Sequence, residues 1–177
     1  MCPRILLLAL ALVAPSAWAQ HQHSSPYKEL QSRDIKALSP EQVSDLQVGR
    51  GMGASLPAEL NGVPGPLHVL ELQERLMVTA DQQVGLQRIS AEMKASAQRL
   101  GQQVIAAEGE LDEAFKRGTA DEKAIVAATE RIAALNGQLR AAHLVAHLKT
   151  RRLLTDQQVA LYNEARGYTG ATSGHKH

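Results

Sequence analysis

The chain has 177 residues, with 19 Lys and Arg against 18 Asp and Glu, 44% hydrophobic residues and only 3% aromatic ones. A balanced charge argues against bulk nucleic-acid binding, which needs a net basic face. So few large rings argue against a thick globular core and for an elongated all-α domain built from alanine and leucine.

Residues 1–19 read as a secretory signal peptide. Arg4 precedes the apolar run Ile5–Ala14, and Ala17-Trp18-Ala19 supplies a small-x-small cleavage site. The run is too short to span a bilayer, and no transmembrane segment follows it. Cys2 leaves with the signal, so the exported chain carries no cysteine for disulfides, thiolate metal sites or thiol catalysis. Removing Arg4 with it leaves 18 basic against 18 acidic residues. The implied location is an oxidising compartment outside the cytoplasm.

Residues 20–37 are polar, carry His21 and His23, and are expected to be disordered or partly helical. A single all-helical domain is expected over 38–166, followed by a small polar tail, 167–177. Ser39-Pro40-Glu41-Gln42 opens a short helix as a capping box with proline at its first position, and Gly49 ends it. From Gly49 to Pro66 lie five glycines and three prolines, which predict a long irregular loop. Residues 67–78 predict a short amphipathic helix carrying His68, Glu71, Glu74 and Arg75.

Thr79 to Arg152 predicts two long helices in an antiparallel hairpin. Apolar residues recur at Leu86, Ile89, Met93, Ala97, Leu100, Val104, Ala107, Leu111 and Phe115. They recur again at Ile125, Ala128, Ile132, Leu135, Leu139, Ala142 and Ala146, every third or fourth residue throughout. The turn is Arg117-Gly118-Thr119, with Thr119 as N-cap and Glu122 completing a capping box. Each arm would be roughly 50 Å long at about 1.5 Å per residue. Acidic residues crowd the hairpin tip and Arg140, Lys149, Arg151 and Arg152 the other end; Asp112 with Lys116 and Glu113 with Arg117 are i,i+4 pairs. Thr155 caps a last helix, 156–166.

Three helix starts resemble one another: Leu38-Ser39-Pro40-Glu41-Gln42, Val78-Thr79-Ala80-Asp81-Gln82 and Leu154-Thr155-Asp156-Gln157-Gln158. Each is an apolar residue, a hydroxyl cap, an acidic first turn and a glutamine at N3, with a valine within two residues. The third is an unmodified Leu-Thr-x-x-Gln; the first and second depart from it at Ser39 and Val78. Such motifs behind a signal peptide, flanking a long helical hairpin, resemble the Spy/CpxP family of periplasmic chaperones and stress proteins. Zinc-resistance-associated proteins and periplasmic heavy-metal sensors are relatives of that family. The resemblance covers about residues 38–166. It implies a cradle-shaped, all-helical homodimer without an enzymatic site. Members bind partly unfolded clients on a concave face, damp an envelope-stress sensor kinase, or bind metal.

The residues themselves carry no hydrolase or transferase signature: there is no Gly-x-Ser-x-Gly, phosphate loop or His-Glu-x-x-His. His143 and His147, at i,i+4, put two rings on one helix side. Met93 is expected opposite them, a set that would suit copper, and His68 with Glu71 would offer ligands for zinc or nickel. The alternative is that the two histidines border a helix seam and bond to solvent or carboxylates. His21, His23, His175 and His177 would scavenge metal loosely. Leu144, Val145 and Leu148 form a second apolar strip. It is to be covered by the short helices, by a second protomer, or by clients.

Overall fold

The computed structural model describes residues 25–168; residues 1–19, read above as a signal peptide, and His21, His23, His175 and His177 lie outside the described residues. The chain divides into two compact units, residues 1–31 and 32–177. A 3-10 turn, Lys28–Ser32, lies at that boundary. Among its described residues the second unit holds six helices: α1 Pro40–Val48, α2 Leu56–Glu59, α3 Pro66–Glu71, α4 Ala80–Lys116, α5 Glu122–Leu153 and α6 Asp156–Ala165. No strand occurs among the described residues. None of the described helices is long and apolar enough to cross a membrane.

The two long helices, α4 and α5, pack along each other. Glu110 meets Arg131 at 2.6 Å and Glu92 meets Lys149 at 3.0 Å, so the two run in opposite directions. These pairs are solvated and each adds at most about 1 kcal/mol; the apolar stripe does the holding. Leu86, Ile89, Ala97, Leu100, Val104 and Ala107 of α4 are buried, as are Leu139 and Ala146 of α5. Towards the turn, Leu111, Ile125, Ala128, Ile132 and Leu135 are half-buried and Phe115 is exposed, because there two helices have little else to cover them. Both predicted pairs near the turn are present, Asp112 with Lys116 at 2.8 Å and Glu113 with Arg117 at 3.5 Å.

Two apolar clusters fix the shorter elements. Leu46 of α1 joins Ala97, Leu100, Val104 and Leu139 midway along the pair. Nearer the chain ends of the pair, Val69, Leu76, Leu86, Leu154 and Tyr162 form a second cluster that gathers α3, α4, α6 and the end of α5. The segment leading into α1 lies along α4: the Lys36 backbone N–H donates to Asp112 Oδ1 at 3.2 Å, and Lys116 Nζ donates to Asp34 O at 3.3 Å.

Three boundaries differ from the sequence reading. The α4–α5 connection uses Asp121, not Thr119, as N-cap: Asp121 Oδ1 accepts from Ala124 N at 2.7 Å. Thr119 is taken by the end of α4, where Gly118 adopts φ +66° and the Thr119 N–H reaches Ala114 O at 3.0 Å. The helix expected over 67–78 stops at Glu71. Residues 72–77 turn instead, with Met77 at φ +51°, a left-handed geometry that costs about 1–2 kcal/mol outside glycine. The Gly/Pro-rich stretch is not wholly irregular, since Leu56–Glu59 closes one helical turn with Pro57 near its start.

Helix α1 crosses α4 at Gly101, where a Cβ would stand 2.2 Å from the Leu46 carbonyl oxygen. Only glycine permits that approach. In an isolated helix Gly→Ala would add up to about 1 kcal/mol. Here the added methyl must push α1 away, and Gly101→Ala is expected to destabilise the fold by about 1–3 kcal/mol in urea unfolding. A stabilised variant would show that α1 does not cross at that distance.

Candidate functional site

The three motif copies are all capping boxes, but they do not do the same thing. Each hydroxyl accepts from its own N3 backbone N–H, and each glutamine Oε1 accepts from its own N-cap N–H. That leaves the glutamine NH2 as a free donor. At Gln42, which is exposed, the box is local. At Gln82 and Gln158 the two carboxamides meet: Gln82 Nε2 donates to Gln158 Oε1 at 2.8 Å, and Gln158 Nε2 donates to Gln82 Oε1 at 2.9 Å. Gln82 Nε2 also reaches Leu153 O at 2.7 Å, and Gln158 Nε2 reaches Leu76 O at 3.2 Å and Met77 O at 3.4 Å. The starts of α4 and α6, the end of α5 and the turn after α3 are thereby tied at one point. Glutamate at N3 would complete the same box yet have nothing to donate. The preceding Leu154 is buried in the cluster beneath, and Val78 is packed against it.

Beside this clasp, the side of α5 carrying His143, His147 and Thr150 is buried, at 4%, 5% and 0% exposure. The stretch between Gly49 and Pro66 lies over it. A Cβ on Gly51 would stand 3.5 Å from the His143 ring, one on Gly65 would be 2.8 Å from the His147 ring, and Val63 O lies 2.8 Å from His147 Nδ1. Glu59, also buried, is the hub. Its Oε1 accepts from Tyr162 OH at 2.6 Å, Tyr168 OH at 3.0 Å and Arg166 Nε at 3.2 Å, and its Oε2 lies 3.9 Å from His147 Nδ1. Burial, reinforced by the Glu59 carboxylate, pushes the Tyr162 hydroxyl well above its ordinary range, so it stays a donor. Glu59 Oε2, His143 Nε2 and Thr150 Oγ1 have no hydrogen-bond partner within the protein.

The second feature is an open groove of about 380 Å³ between α4 and α5. Ile89, Met93, Ala142, Val145 and Ala146 give it an apolar floor; Glu92, Arg99 and Lys149 stand among them.

The predicted site residues therefore fall in separate places. His143 and His147 lie under the Gly/Pro-rich stretch. Met93 lines the groove, where Val145 stands about 160° around α5 from His143, rather than opposite the histidines. His68 and Glu71 pair with each other at 2.9 Å on the surface of α3. No group of three or more His, Cys, Asp or Glu among the described residues is placed to hold a metal ion. Of the second apolar strip, Leu144 is half-buried, while Val145 and Leu148 are 47% and 51% exposed. Sequence reasoning missed Glu59, Thr150 and Tyr162. Two tyrosines near the chain end, each needing a hydroxyl partner if buried, were the available signal. No family model matches the chain, and no curated protein or solved structure was found similar to it.

Burial, with the neighbouring His147 adding to it, holds His143 below the ordinary imidazole range. Above about pH 6.5 the ring is neutral folded or unfolded and contributes no pH dependence. Below that, the unfolded chain takes up the proton first, so stability falls with pH until the folded state is protonated as well. Thermal unfolding should show a lower Tm at pH 5.5 than at pH 7.5, with a smaller difference for His143→Gln. An undiminished difference would assign the effect to other groups.

Proposed function

We propose that this chain is a non-enzymatic periplasmic protein of the Spy/CpxP type. It is an ATP-independent chaperone or envelope-stress resistance protein that holds partly unfolded clients. In this reading residues 1–19 export it, the α4–α5 pair is an antiparallel hairpin, and two copies form the cradle. The observation that supports it best is the groove. It is shallow and apolar, flanked by long charged side chains, with Val145 lining it and Leu148 exposed nearby on α5. Such a surface suits varied apolar segments better than one shaped ligand, because flexible rims can re-pack around different partners. An envelope-stress sensor kinase is a further candidate partner of the same surface. Copper, zinc or nickel binding at His143 and His147 is the competing proposal; Met93, His68 and Glu71, the further ligands expected for it, lie elsewhere.

The test is aggregation of an unfolded client, without ATP, in the presence of the protein lacking residues 1–19. Slowed aggregation is expected, and Val145→Asp with Leu148→Asp should remove at least half of it while the helical circular dichroism persists. Parallel arms with copper, zinc and nickel separate the two proposals. No suppression in any arm, together with a metal-dependent rise in Tm lost in His143→Ala/His147→Ala, would favour metal binding.

A further inference from the structure

We propose that residues 50–65 are a lid that opens separately from the rest of the fold, uncovering the His143–His147–Thr150 side of α5 to clients, with Glu59 as its latch. The proposal rests on the chaperone reading for what the uncovered side does.

Four observations support a lid. Its first hinge is glycine in the left-handed region: Gly49 has φ +73°, immediately after α1 is anchored at Gly101. Its other end, Gly65-Pro66, opens α3, which is fixed by Val69 in the second apolar cluster. Between these anchors the segment contributes no residue to either cluster; Leu46 and Val69 flank it. Its hold on α5 and α6 is polar instead: Glu59 to Tyr162, Tyr168 and Arg166, Val63 O to His147, and Gly62 O accepting from Asn163 Nδ2 at 3.5 Å.

Its larger apolar side chains face solvent, while Pro64 is buried and Val63 half-buried. Met52, Leu56 and Leu60 are 49%, 52% and 62% exposed. A segment that leaves its three largest hydrophobic residues in solvent is held mainly through one buried carboxylate and Pro64. Local opening draws on such low-stability segments. Opening also admits water to His143 Nε2 and Glu59 Oε2, which have no protein partner when the lid is shut. The uncovered side of α5 borders the apolar stripe at Leu139 and Ala146, so opening would offer clients two imidazole faces and the Thr150 methyl beside that stripe. Met52, Leu56 and Leu60 are the apolar groups a client meets first on the closed lid.

The inference is tested by hydrogen exchange and a reversible lock, both in the protein lacking residues 1–19, which has no cysteine of its own. In Glu59→Ala, amides of residues 51–63 should exchange at least about tenfold faster than in the parent, since three hydrogen bonds to a charged group are lost. Amides around Leu100 and Val104 of α4 should be unchanged. Gly51→Cys with His143→Cys places two thiols across the lid. Oxidised, this protein should lose at least half of its aggregation suppression; reduced, the same protein should regain it. Equal exchange rates for lid and α4 core in both proteins would overturn the lid. Equal suppression by the oxidised and reduced forms would overturn its role in client access. If no form suppresses aggregation while Glu59→Ala selectively frees the lid, the lid stands and the chaperone reading fails.

Discussion

The carboxamides of Gln82 and Gln158 hold each other by two hydrogen bonds, and the junction of α4, α5, α6 and the turn after α3 depends on that contact. Each glutamine already caps its own helix, so both oxygens and both NH2 groups are in use. Each carboxamide has one N–H left: that of Gln82 goes to Leu153 O, and that of Gln158 is shared between Leu76 O and Met77 O. These are carbonyls that no continuing helix would satisfy: one ends α5, and two lie in the turn that replaces the rest of α3. An unpaired buried carbonyl would cost about 1–3 kcal/mol, so one pair of side chains removes several such penalties together. The left-handed strain at Met77 is tolerated in that context, since its carbonyl is part of the clasp.

From the clasp the α4–α5 pair extends with two differently treated sides. One is covered by the chain from Ile35 through α1 and on to Gly65, by an apolar contact at Gly101 and then by a polar contact at Glu59. The other keeps the groove lined by Met93, Val145 and Lys149 open. The same two helices thus serve as a core on one side and as a surface on the other. Glu59 is central to the covered side because it joins α2 to α6, and α6 is itself held by Gln158.

The long helices, their apolar stripe at every third or fourth residue and the three capping boxes were legible in the sequence, because period and cap chemistry are local. Thr79, Thr155 and Ser39 behave as their spacing demands. What was not legible is non-local. Nothing within Leu154–Gln158 says that its glutamine will meet Gln82, although the repetition of the motif was visible. Thr119 looked like a cap because Glu122 follows it; the left-handed Gly118 claimed its backbone first, and Asp121 took over. Glu59 sits among Leu56, Pro57, Ala58 and Leu60 in a stretch whose composition predicts loop, and its partners are about a hundred residues away. His143 and His147 were recognised as one side of a helix, but their covering by a Gly/Pro-rich segment depends on the path of that segment.

The central claim is that the two motif glutamines act as one unit. A double-mutant cycle of Gln82→Ala and Gln158→Ala, followed by urea unfolding, measures this directly. Each single change should lose most of the stability that the pair loses together, giving a coupling of about 1–2 kcal/mol. Additivity within about 0.3 kcal/mol would contradict the account and leave two independent helix caps.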